Sequence, residues 1–179
     1  LAQAFKHDMT YWKIKSVVDD KETERQVTAI FTHYFKDLKD IFLSAVAEAG
    51  SPPDIGCRPF YFLCEKAGIV DSEMNQSIIN TYFKATNFEE GGDQEGNDDL
   101  SLVRFEFLEI WARIARGKFL DTGKVATMSE ALELLITKHI LPLKKELPAW
   151  QEFREKQMYQ IDVNELIHAN VKGLRALYD

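Results

Sequence analysis

Residues 95–106 read Glu95-Gly96-Asn97-Asp98-Asp99-Leu100-Ser101-Leu102-Val103-Arg104-Phe105-Glu106 and join an acidic, glycine-containing loop to an apolar helix. Oxygen-bearing side chains recur at every second position, Glu95, Asn97, Asp99 and Ser101, and Glu106 closes the series. Before them, residues 75–85 have helical spacing, with Met74, Ile78, Ile79, Tyr82 and Phe83 inward. After them, Phe105, Leu108, Trp111 and Ala112 recur at three- and four-residue steps. That spacing predicts a central core helix over 104–115. The unit therefore reads helix, loop, helix.

The rest of the chain is also helical in pattern. Asp20 is placed to cap a long helix whose inner face is Val27, Ile30, Phe31, Tyr34, Phe35, Leu38, Ile41, Phe42 and Ala45. Gly50-Ser51-Pro52-Pro53-Asp54 ends it, because paired prolines cannot continue the hydrogen-bond ladder. Pro59 suits the first turn of a short helix carrying Phe60, Phe62, Leu63 and Cys64, which Gly68 closes. Asp71 or Ser72 is expected to start the next helix. Residues 116–126 read as a polar link. Thr127 and Glu130 have the spacing of a capping box, in front of Ala131, Leu132, Leu135, Ile136 and Ile140. Asp162 and Glu165 offer a second cap, for a last helix with Val163, Leu166, Ile167, Val171 and Leu174. No strand longer than three residues is expected, so the fold class is all-α.

The series from Glu95 to Glu106 resembles an EF-hand of the calmodulin superfamily type. There, alternate oxygen ligands and a final bidentate Glu enclose Ca²⁺. On that resemblance Glu95, Asn97, Asp99 and Ser101 (through its carbonyl) stand at loop positions 1, 3, 5 and 7, and Glu106 at 12. Leu102 takes position 8, where paired hands meet through a short β contact. The segment 27–67 fits the partner hand, with Ile55 matching Leu102. That register puts Glu48, Gly50 and Pro52 at the first three ligand positions and Pro59 at the last. Proline has no carboxylate, so the first loop is expected to bind no Ca²⁺. The second departs from the pattern at Glu95, at Leu100 where a turning glycine belongs, and at Val103. Starting it at Asp93 instead leaves Arg104 last. The favoured reading is an acidic solvated loop; the alternative is a Ca²⁺ site. The run 102–115 with Gly117-Lys118-Phe119 also resembles degenerate EF-hand-like modules of large protist cytoskeletal and ciliary proteins.

Composition limits the function classes. The 179 residues are 45% hydrophobic and 28% charged, enough for a real core. A net charge of −7 argues against nucleic acid as a partner. No apolar run reaches the roughly 18 residues of a membrane span. Cys57 and Cys64 read as free thiols of a reducing compartment. The chain lacks an initiator Met and both ends look cut, so a piece of a longer protein is expected. His7, His33, His139 and His168 lie in separate segments without metal-ligand spacing, and structural roles are expected for them. Glu106 and Glu109, three apart, could mimic a catalytic acid pair, but no catalytic motif accompanies them. Three regions are expected: an N-terminal extension (1–26), a degenerate EF-hand-like pair (27–116) and a C-terminal helical extension (117–179). A paired-hand domain leaves a groove for an amphipathic helix. The last helix, or Tyr11, Trp12 and Ile14, could fill it in cis. The expected function is a non-catalytic scaffold with protein partners in the cytoplasm or at a cilium or microtubule. No cofactor is expected; a Ca²⁺-responsive regulator is the alternative.

Overall fold

The computed structural model describes residues 2–18, 20–50, 53–88, 101–147 and 150–177. The fold is all-α, and contacts divide the chain into two compact units, residues 1–147 and 148–179.

The first unit begins with α1 (Ala2–Tyr11) and a 3-10 turn at Ile14–Ser16. α2 (Lys21–Ala49) follows. Its start is the expected one: the Asp20 carboxylate accepts from the amides of Glu22 and Thr23. These bonds hold the Asp20 carboxyl below its usual range, the Thr23 hydroxyl contributing most. The helix ends at the start of the 50–54 stretch, as expected. Gly50, at φ 70°, makes the left-handed cap. Of the expected inner face only Tyr34 is not buried.

Ile55–Gly56 form β1, and α3 (Cys57–Lys66) starts directly after it. Phe60, Leu63 and Cys64 are buried there, while Phe62 is 46% exposed. It lies one step off the buried face and carries the Arg58 guanidinium over its ring. The Cys64 thiol is pushed well up by burial.

α4 (Gln76–Asn87) is capped by Asn75, not by Asp71 or Ser72. The Asp71 carboxylate instead accepts from the amides of Glu73 and Met74, a local turn with the same donor geometry as a helix cap. It also receives the Lys118 ammonium, the main cause that lowers its pKa. A lowered folded-state pKa stabilises above the ordinary carboxylate range. That contribution is lost as pH falls through the lowered value.

Ser101–Leu102 form β2, and α5 (Arg104–Ala115) runs through the middle of the unit. The expected inner face proves too narrow. Phe107, Leu108, Ile110, Trp111, Ala112, Ile114 and Ala115 are buried, so the helix is covered nearly all round, while Phe105 is only half-buried. Residues 116–120 are no polar link. They continue α5 as a π-helical turn that buries Lys118 and Phe119. Gly117 is required there: a Cβ would stand 2.0 Å from the Tyr82 hydroxyl. Gly117→Ala should lower stability by about 1–3 kcal/mol, because Tyr82 must move. Chemical denaturation checks this.

α6 (Met128–Leu135) opens on the expected capping box: Thr127 Oγ1 accepts from the Glu130 amide and Glu130 Oε2 from the Thr127 amide. A π-helical turn (Ile136–Ile140) and a 3-10 turn (Leu141–Glu146) complete the unit. α6 packs on both α2 and α5. Its expected inner residues Ala131, Leu132 and Leu135, with Ile136 and Ile140 of the next turn, are fully buried.

The second unit contains α7 (Trp150–Phe153), a π-helical turn (Arg154–Met158) and α8 (Ile161–Arg175). α8 starts after Gln160 without a side-chain cap, so Asp162 and Glu165 form none. Asp162 lies inside the first turn, where its charge suits the helix dipole. α8 buries no residue; Leu166 is 65% exposed.

Candidate functional site

β1 and β2 pair antiparallel, with Ile55 opposite Leu102 and Gly56 opposite Ser101. The bridge ties the connection between α2 and α3 to the connection between α4 and α5. Both central residues, Ile55 and Leu102, are fully buried. Two apolar side chains directly opposite one another fix the register, because a slip by one residue would turn both outward.

The sequence-derived ligand set is only partly within the described residues. Glu95, Asn97 and Asp99 lie outside them. Ser101 is in β2 and Glu106 in the first turn of α5, both buried. Glu106 Oε2 accepts from the Val103 amide at 3.0 Å, closing the helix start. Val103 has no side-chain oxygen, so only the Glu106 half of a capping box is made. Among the described residues no group of three or more His, Cys, Asp or Glu is placed to hold a metal. In the first loop, Glu48 is in α2 and pairs with Lys66 at 2.6 Å, Gly50 is the helix cap, and Pro59 lies within α3. Pro52 lies outside the described residues.

Glu109 lies three residues after Glu106 on α5. It is fully buried, accepts from the Lys13 amide at 3.0 Å and binds Arg113 at 2.8 Å. This opens a second feature, at the N-terminal residues Tyr11, Trp12 and Ile14 that the sequence offers for packing in cis; the polar latches that hold it are what the sequence did not show. Residues 2–18 form a strap along α2 and α5. Arg104 grips Asp8 through two bonds, at 2.7 and 2.8 Å. Arg113 donates to the Ser16 hydroxyl, and Arg116 to the Val17 carbonyl. Phe5 meets Phe35 edge-on, Trp12 meets Phe31 in the same way, and Tyr11 stacks on Phe105. Ile14, Val17 and Val18 are buried. One signal could have revealed these latches: apolar residues recur on every side of α5, so the charged Arg104, Glu106, Glu109 and Arg113 among them cannot all face water and need partners.

Of the histidines, His139 places Nδ1 3.0 Å from the Ala67 carbonyl, on the link between the two helix pairs. Since a carbonyl only accepts, Nδ1 carries the proton there. The Cys57 thiol donates to Asn80 Oδ1. A depression of about 180 Å³ is lined by Ala45, Ala49, Pro59, Phe62 and Leu63 with Glu48 and Lys66. Its lining is mostly apolar. That volume is below the roughly 300 Å³ at which small-molecule sites begin. No helix among the described residues is long and apolar enough to cross a membrane. No family model, curated protein or solved structure matches the chain.

Proposed function

We propose that the chain is a non-catalytic protein–protein interaction module built on a degenerate EF-hand-like pair of helix–loop–helix units. The Ile55–Leu102 bridge carries this reading. It joins two helix–loop–helix connections through the two residues that the resemblance places at position 8. The departures from the ligand pattern support a metal-independent pair. Pro59 removes the last ligand of the first loop, and Glu106 of the second already serves as a helix cap. The buried apolar residues around α5 supply a core that needs no ion. The partner is a protein, and a cytoskeletal or ciliary assembly is the setting proposed from the resemblance of 102–119.

A Ca²⁺-responsive regulator is the second reading. It is favoured by one observation: Ser101, which the resemblance makes ligand 7, lies in β2, and Glu106, which it makes ligand 12, lies in the first turn of α5 close after it. Titration calorimetry and tryptophan fluorescence with Ca²⁺ separate the two. The expected result is no saturable response at micromolar free ion. A response that disappears in Glu106→Gln overturns the scaffold reading in favour of the sensor.

A further inference from the structure

The strap is fastened near its end by a hydroxyl. Ser16 closes the 3-10 turn and is exposed, while Ile14 before it and Val17 after it are buried. Its Oγ donates to the Lys13 carbonyl at 2.8 Å and accepts from Arg113 Nη2 at 2.7 Å. The Arg113 guanidinium is only partly used. Nη2 also donates to Glu109, yet Nε is shut off from water without a hydrogen-bond partner. Nε and Nη2 form the same guanidinium edge with which Arg104 grips both oxygens of Asp8. On Arg113 only the Nη2 half of that edge is engaged.

What the edge lacks is a second acceptor tied to the first. A phosphoryl group on Ser16 Oγ would add three strong acceptor oxygens beside Nη2. Arginine takes two phosphate oxygens at once through parallel N–H bonds. The hydroxyl would lose its proton and with it the bond to the Lys13 carbonyl. The charge-assisted bonds that replace it are about twice as strong. The charges nearby are paired: Arg113 with Glu109, Arg116 beside Asp121 at 3.5 Å, and Lys13 on the Phe88 carbonyl. The grip therefore rests on hydrogen-bond geometry, not on spare charge. Because Ser16 is exposed, the outer phosphoryl oxygens stay in water.

We propose that Ser16 is a phosphorylation site and that its phosphoryl group latches the strap to α5 through Arg113. In the transfer the Oγ–P bond forms while the γ-phosphorus of ATP parts from the oxygen bridging it to the β-phosphate. ADP leaves, and the hydroxyl proton passes to the base of the kinase. Lys13 and Lys15, three and one before Ser16, give the segment a charge pattern suited to a kinase that prefers basic residues ahead of its serine. With Ile14 and Val17 buried, that kinase reaches the segment only while the strap is lifted, and the phosphoryl group fastens it on closing. The proposal is independent of the interaction-module reading.

The test incubates the full chain, and a peptide of residues 10–22, with ATP and a panel of such kinases. One phosphoryl group per chain is expected, absent in Ser16→Ala, with the peptide labelled faster than the chain. No label at Ser16 in either overturns the site. Amides at 13–18 of the phosphorylated chain are then expected to exchange about tenfold more slowly than in the unmodified chain. In Arg113→Lys, which keeps a charge for Glu109 but not the fork, most of that slowing should be lost. Unchanged exchange, or equal slowing in Arg113→Lys, overturns the latch. Phosphorus NMR checks it without a variant: Arg113 favours the dianion, so the phosphoryl group of the chain should titrate at lower pH than that of the peptide. Identical titration overturns the latch.

Discussion

Trp111→Ala is expected to cost about 3–5 kcal/mol of stability. The indole is fully buried at the middle of α5. Its ring packs 5.0 Å from Phe60 and 5.3 Å from Phe107, centroid to centroid, so truncation empties the place where three aromatic side chains meet. Neighbouring helices converge there and cannot all close inward, so a cavity remains and adds to the lost transfer energy. Trp111→Phe separates ring volume from polarity. Trp111 Nε1 has no hydrogen-bond partner, so removing it forfeits no bond. The Phe variant should therefore lose well under half of what the Ala variant loses. Urea unfolding of the three proteins measures both. A near-neutral Trp111→Ala would mean that α5 is not the central element.

Glu109→Ala is expected to cost a similar amount, about 3–5 kcal/mol, by a different route. Removing the carboxylate deprives the Lys13 amide of its acceptor. It also leaves the Arg113 guanidinium, only 16% exposed, without its buried counter-ion. A buried charge stripped of its partner costs more than the pair contributed. Glu109→Gln keeps an oxygen for the Lys13 amide but not the charge, and should fall between. Because the lost bond belongs to the strap, exchange of amides near residue 13 should accelerate before those of α2. Equal acceleration throughout would instead make Glu109 part of the general core.

Much of the fold could be read from the residues because its determinants are local. Asp20, Thr127 and Glu130 act within three or four positions of themselves, and they form the caps their spacing suggests. The match of Ile55 to Leu102 came from counting along two loops, and the bridge pairs those residues. What escaped depends on distant partners or on chemistry shared by two local structures. Asp71 makes a turn with the bonds of a helix cap, so the two readings look alike in sequence. Residues 116–120 contain Gly, Lys and Arg and look polar. Yet Lys118 is buried because the Ile69 carbonyl and Asp71, nearly fifty positions away, receive its ammonium. The polar latches of the strap escaped for the same reason, since Asp8 and Arg104 are 96 residues apart, while its apolar residues Tyr11, Trp12 and Ile14 were legible as packing in cis. Of the candidate ligands, Ser101 and Glu106 are beside the bridge as counted, while Glu95, Asn97 and Asp99 lie outside the described residues.

The central claim is that the two helix–loop–helix units are joined without a metal. Amide hydrogen exchange at Ile55 and Leu102, in EGTA and then in millimolar Ca²⁺, tests it most directly. Their burial and pairing give equal, strong protection in both buffers on this account. Protection that develops only when Ca²⁺ is added would contradict it.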